Sequence, residues 1–83
     1  MLYLTAAKYT SDFKLWVTFS DGLDCELDLD NQLVGPIFEP LKQQHFFSQL
    51  VFDAELETVV WPNGADLAPE FLRSLYEQQV SPG

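Results

Sequence analysis

The chain has 83 residues, 47% of them hydrophobic and 14% aromatic, and 13 acids against four lysines and arginines give a formal net charge of -9. A chain of this length has one small core that buries roughly two thirds of its unfolded surface, which excludes a deep pocket enclosed by two lobes. The acidic balance repels nucleic acid phosphates and so argues against direct DNA or RNA binding, while basic partners and divalent cations stay open.

The first residues, "MLYLTAAKYTSD", lack a basic leading region and soon turn polar, so no signal peptide is expected. No apolar run approaches the ~20 residues of a spanning helix. Cys25 is the single cysteine, which rules out an internal disulfide and suits a reducing compartment. A cytoplasmic location with no membrane contact is expected.

Residues 2–8 alternate, with Leu2, Leu4 and Ala6 against Tyr3, Thr5 and Ala7, and period two predicts a strand. "YTSD" at 9–12 supplies turn formers. "FKLWVTF" at 13–19 is the clearest strand, and "LDCELDL" at 23–29 is its partner across Ser20-Asp21-Gly22. A two-residue loop would set every apolar residue beside an acid. A three-residue loop with Gly22 left-handed pairs Phe19 with Leu23, Val17 with Cys25, Leu15 with Leu27 and Phe13 with Leu29. The other face then carries Lys14 opposite Asp28, Trp16 opposite Glu26 and Thr18 opposite Asp24. With a loop at 9–12, Leu4 faces Val17 inside, Thr5 neighbours Trp16 outside, and Tyr3 lies beside Thr18.

Beyond the Gly35-Pro36 break, "FEPLKQQHFFSQ" predicts one or two short helical turns, with Pro40 tolerated at a helix start. "LVFDA" at 50–54 and "TVVW" at 58–61 predict a second hairpin around Glu55 and Leu56, with Phe52 facing Val59 and Leu50 facing Trp61. Trp61 is assigned to the core. Pro62 ends that strand, and Asn63-Gly64 turns the chain. Asp66, Pro69 and Glu70 suit the start of a helix whose stripe of Phe71, Leu72, Leu75 and Tyr76 ends near Gln79. The order predicts an α+β fold: a small antiparallel sheet, built as a three-stranded meander plus a hairpin, with a short helical segment and a C-terminal helix. Residues 1–79 are expected to form a single domain and 80–83 a frayed C-terminal tail.

Catalytic chemistry finds little support. Asp24, Glu26, Asp28 and Asp30 recur at every second residue, which lines one strand face and does not wrap an ion. His45 is the only histidine, so no histidine cluster forms, and Cys25 points inward, where apolar surroundings make a thiol inert. No metal, cofactor or catalytic residue is assigned. Trp16, a large aromatic on the polar face, is the anomaly. With Tyr3, Thr5 and Glu26 it makes the candidate partner-binding patch, since exposed aromatics are enriched at interface hot spots. Asp21, Gly22, Trp61, Pro62, Asn63, Gly64 and Asp66 read as a structural signature of turns.

Three segments, "VTFSDGLDCELDL", "GPIFEPLKQQHFFSQLVFD" and "TVVWPNGADLAPEFL", resemble the small bacterial proteins of the family called domain of unknown function 2442. The likeness rests on F-x-D-G after a strand, on P-x-F-x-P-L, and on W-P-N-G-A-D-L-x-P-E before the last helix, and it covers about residues 3–77. The resemblance implies an α+β fold with an antiparallel sheet and carries no established catalytic residue. Some members of that family bear a helix-turn-helix domain after this one or are coded beside toxin-like proteins, which implies a regulatory or antitoxin-like partner module. No DNA-reading domain is expected within a chain ending at Gly83.

The leading expectation is therefore a small cytoplasmic interaction module, not an enzyme, that binds a protein partner or itself as a homodimer. The alternative is a small metal- or ligand-dependent enzyme using Asp21, Asp66 and His45, which requires the three to converge. A third reading is an acidic competitor for the nucleic-acid surface of a basic protein.

Overall fold

The computed structural model describes residues 1–80. Its strands are β1 (Leu4–Ser11), β2 (Lys14–Phe19), β3 (Asp24–Asp28), β4 (Val51–Asp53) and β5 (Thr58–Val60), and its helices are a 3₁₀ segment (Pro36–Lys42), α1 (Gln44–Phe47) and α2 (Pro69–Val80). β1, β2 and β3 form an antiparallel meander, and β4 and β5 form a separate hairpin. This is the α+β architecture expected from the order of strand and helix signals.

The β2–β3 register follows from the apolar alternation. Leu15 pairs with Leu27, Trp16 with Glu26 and Val17 with Cys25. A one-residue slip would carry the whole apolar set to water. The loop is the three-residue Ser20-Asp21-Gly22, with Gly22 at φ 93°. The Asp21 carboxylate braces it by accepting the Leu23 N–H at 3.3 Å. Lys14 and Asp28 face one another as expected, but no ion pair forms between them among the described residues.

The first strand differs from expectation. It runs Leu4–Ser11 instead of 2–8, and the tip is the pair Asp12-Phe13 instead of 9–12. Asp12 takes the left-handed conformation at φ 47°. The register is Leu4 to Phe19, Ala7 to Val17, Lys8 to Trp16 and Tyr9 to Leu15, with irregularities at Thr5 and Thr10. Tyr9 explains the shift. Its place in a turn-forming stretch is outweighed by packing: its ring meets Phe47 edge-on at 6.1 Å and its hydroxyl donates to the Asp12 carbonyl at 3.1 Å. An aromatic with a polar tip can bury its ring and still satisfy its hydroxyl, so the strand continues through it.

The second hairpin has the expected register, with Phe52 opposite Val59. Its turn is closed by Asp53, whose carboxylate accepts the N–H groups of Glu55 and Leu56 at 2.8 and 3.0 Å. The Leu4 N–H donates to the Glu57 carbonyl at 2.9 Å, which ties this turn to β1.

Phe47 sits at the centre of the core, fully buried, with Phe13 at 5.5 Å and Trp61 at 5.6 Å between ring centroids. Trp61 is 2% exposed, and its indole N–H donates to the Phe47 carbonyl at 2.9 Å. Leu4, Leu15, Val17, Phe19 and Leu27 from the sheet meet Leu72 and Leu75 from α2 in the same cluster. α2 starts at Pro69, where a missing N–H costs nothing, and extends through Val80, one residue past the expected boundary. The remainder of the expected tail, 81–83, lies outside the described residues.

Candidate functional site

The meander buries one face and leaves the other open. On the outer face, three cross-strand rows run from β1 through β2 to β3: Ala6–Thr18–Asp24, Lys8–Trp16–Glu26 and Ser11–Lys14–Asp28. All three β3 residues are exposed, and Trp16 is half-buried. Trp16 is also absent from the side chains packed on the core, whose members come from the inner face. The central row therefore sets an indole between an ammonium on one side and a carboxylate on the other, at directly opposed positions where side chains interact. Two of the four cations of the chain, Lys8 and Lys14, lie on this face. Chemically it offers an amphipathic aromatic surface with charge of both signs.

The predicted patch is only partly assembled. Glu26 adjoins Trp16 as expected. Thr5 does not: it falls at the irregularity between Leu4 and Ala6, and its hydroxyl donates to the Thr18 carbonyl at 3.3 Å. Tyr3 precedes β1, is 37% exposed, and beside the β2–β3 loop its carbonyl accepts the Ser20 N–H at 2.8 Å while its own N–H donates to Ser20 Oγ at 3.3 Å. The register shift in β1 moves both away from Trp16 and brings Lys8 there instead. Lys8 was missed because its position depends on the two irregularities, which no local signal in the sequence announces.

The signature residues act structurally. Asn63 donates its side-chain amide to the Ile37 carbonyl at 2.9 Å and accepts the Ala65 N–H at 3.1 Å, so one side chain joins the 3₁₀ segment to the turn before α2. Gly64 turns the chain at φ 89°. The Trp61 N–H then reaches the Ala65 carbonyl at 2.9 Å, and Asp66 bridges to Val60 through the backbone. Pro62 is exposed at the strand end. Thr58, buried, donates its hydroxyl to the Leu67 carbonyl and locks the same turn against β5.

Asp21, Asp66 and His45 do not come together as a metal ligand set: among the described residues no three of His, Cys, Asp and Glu are so grouped. The carboxylate of Asp21 is held by Arg73 Nη2 at 2.7 and 2.8 Å, which keeps its pKa below the ordinary carboxylate value. Asp66 borders a shallow cavity of about 250 Å³ with Gln32, Phe38 and Phe71, and His45 is exposed on α1. Burial pushes the Cys25 thiol up, so it stays protonated. A second cavity of about 270 Å³, lined by Phe13, Leu29, Leu33, Leu41 and Phe47 with Lys42 and Asp30, holds no paired acid and base within hydrogen-bond reach.

Sequence reasoning also missed Arg73. It pairs with Asp21 and lies over the Phe19 ring at 4.5 Å from the centroid. No helix of the described residues is long and apolar enough to cross a membrane. No curated protein and no solved structure matches the chain. A family model does match, over residues 4–78, and it spans every strand, the turn at Asn63-Gly64 and most of α2. With that match and the α+β fold agreeing, the chain belongs to the family described as protein of unknown function, DUF2442.

Proposed function

We propose that the chain is a protein-interaction module that takes a protein partner on the outer face of its three-stranded sheet, with Trp16 as the anchor. The observation that carries this reading is the Lys8–Trp16–Glu26 row: a large aromatic left off the core, on a face that the core packing does not use. Trp supplies large contact area at low conformational cost and dominates interfaces where it occurs. A regulatory, antitoxin-like role is the finer form of this reading, in which the module acts by occupying another protein's surface. The free, buried thiol of Cys25 is consistent with a cytoplasmic setting.

The test is Trp16→Ala in a tagged chain expressed in its native host, with co-purified material quantified by mass spectrometry. The expected result is loss of a specific co-purifying protein with a change in unfolding free energy of no more than about 1–1.5 kcal/mol, as for a half-buried side chain off the core. In 5-fluorotryptophan-labelled protein, adding the purified partner should then move the Trp16 ¹⁹F resonance and leave that of Trp61. A partner retained by Trp16→Ala, together with a large loss of stability, would sink the reading.

The mixed charge of the same face supports a second reading, self-association. A two-fold axis along β2 would place Lys8 of one copy against Glu26 of the other. Sedimentation equilibrium distinguishes it, since only this reading expects a concentration-dependent mass that Trp16→Ala abolishes.

A further inference from the structure

Asn63 and Gly64 are exposed, in the turn between β5 and α2. Asn63 is the tie between two stretches of chain. Its Nδ2 donates to the Ile37 carbonyl in the 3₁₀ segment at 2.9 Å, and its Oδ1 accepts the Ala65 N–H at 3.1 Å. The Gly64 N–H donates to the Trp61 carbonyl at 3.0 Å. The cavity of about 250 Å³ is lined by Leu33, Val34 and Phe38 from one stretch and by Leu67, Ala68 and Phe71 from the other. The tie therefore joins the stretches that wall this cavity.

The same two residues carry a chemistry that the fold does not use. Attack of the Gly64 nitrogen on Asn63 Cγ closes a five-membered ring, and a residue without Cβ leaves that approach uncrowded. The Ala65 N–H already sits where negative charge develops on Oδ1 during the attack. Two other bonds hold the reaction back. The Gly64 nitrogen must turn from Trp61, and the departing amide must give up Ile37. Elsewhere one requirement is missing. Asn31 precedes Gln32, whose Cβ crowds the nitrogen. Asp21 precedes Gly22, but its carboxylate is held ionised by Arg73 at 2.7 and 2.8 Å and has no leaving group.

We infer that Asn63 is a modification site: it loses its side-chain amide to water through a cyclic imide when the turn opens, and the loss unties the 3₁₀ segment from the entry to α2. The Gly64 nitrogen gives its proton to a solvent base and forms a bond to Cγ. The Cγ–Nδ2 bond breaks, and ammonia leaves with a proton from solvent. Water then adds to one of the two ring carbonyls. Cleavage of the new bond to Cγ gives aspartate, and cleavage of the original peptide bond gives isoaspartate. One water is consumed, one ammonia is released, and no atom changes oxidation state. Aspartate cannot donate to the Ile37 carbonyl and sets a charged oxygen against it. Isoaspartate adds a carbon to the main chain and displaces Ala65, whose carbonyl accepts the Trp61 N–H at 2.9 Å. The turn thus keeps a chemical record of its own opening. The site lies apart from the Trp16 face and does not rest on it.

The test incubates the whole chain in mildly alkaline buffer made with H₂¹⁸O. Trypsin then releases residues 43–73 as one peptide, separate from the peptide with Asn31. Fragmentation in the mass spectrometer locates the label and distinguishes aspartate from isoaspartate. The expected result is label at residue 63 in both products and none at residue 31. The folded chain should react about ten- to a hundredfold more slowly than the urea-unfolded chain, as for two net hydrogen bonds. Gly64→Ala should slow the reaction in the unfolded chain, where the strain of a positive φ plays no part. The converted protein, isolated by its added negative charge, is then compared with fresh protein by amide exchange. The Phe38 N–H, which donates to the Gly35 carbonyl at 3.1 Å, should exchange about fivefold faster, as for one hydrogen bond lost. Asn63→Asp should show the same gain, and aged Asn63→Gln should match fresh Asn63→Gln. No label at residue 63, equal label at residues 31 and 63, equal rates in the folded and unfolded chain, or unchanged Phe38 exchange in the converted protein would overturn the inference. These readouts involve no partner protein, so failure here and failure of the Trp16 reading are separable.

Discussion

Asp21 and Arg73 stand 52 residues apart in sequence and meet through both carboxylate oxygens. The hydrogen bonds from Arg73 come first in holding the Asp21 pKa below its ordinary 3.8, and the Leu23 N–H comes second. A group whose pKa is lower in the folded chain contributes stability above its unfolded value and loses it as pH falls through the lowered one. Arg73→Gln should therefore raise the Asp21 midpoint in a ¹³C carboxyl titration and flatten the fall of Tm below about pH 4; an unmoved midpoint would contradict the pairing. At Trp61 the cost is of another kind. Trp61→Phe removes the donor to the buried Phe47 carbonyl and should cost about 2–3 kcal/mol in urea unfolding, from an unpaired acceptor and lost volume. The sequence announces the burial of Trp61 through its strand position, but not its acceptor, which belongs to α1.

The two hairpins show what a local pattern can and cannot settle. In β2–β3, only one register buries Leu15, Val17 and Phe19 together, so the pairing and the three-residue loop were legible. Gly22 is required there by its positive φ, and a Cβ at that position would meet nothing within 4 Å. Gly22→Ala should thus cost about 1–2 kcal/mol through backbone strain alone; a neutral variant in thermal unfolding would mean the loop relaxes to another turn. β1 was not legible to the same degree. Its inward residues are Leu4, Ala7 and Tyr9, which break strict alternation at Thr5. An irregularity erases the period-two signal, and an inward Ala and Tyr supply little to restore it.

Across the whole molecule, charge acts against compactness. The 13 acids face four cations, and the ion pairs among the described residues are Lys42–Glu39 and Arg73–Asp21. Raising the ionic strength from about 0.01 to 0.15 M shortens the screening length from about 30 to 8 Å. Relief of self-repulsion should then raise Tm by about 2–5 °C, measured by calorimetry, against the small loss from two exposed pairs. A falling Tm would show those pairs outweighing the net charge. The sequence by itself determined the α+β class, the β2–β3 and β4–β5 registers, the interior place of Trp61 and the stripe of α2, because each follows from side-chain periodicity or from residues a few positions apart. Only the tertiary structure decided that Lys8 adjoins Trp16, that Arg73 holds Asp21, and that Gln79 holds the Asp28 backbone at the edge of β3. Those contacts join segments whose relative placement is set by packing of the shared core, which no local spacing encodes.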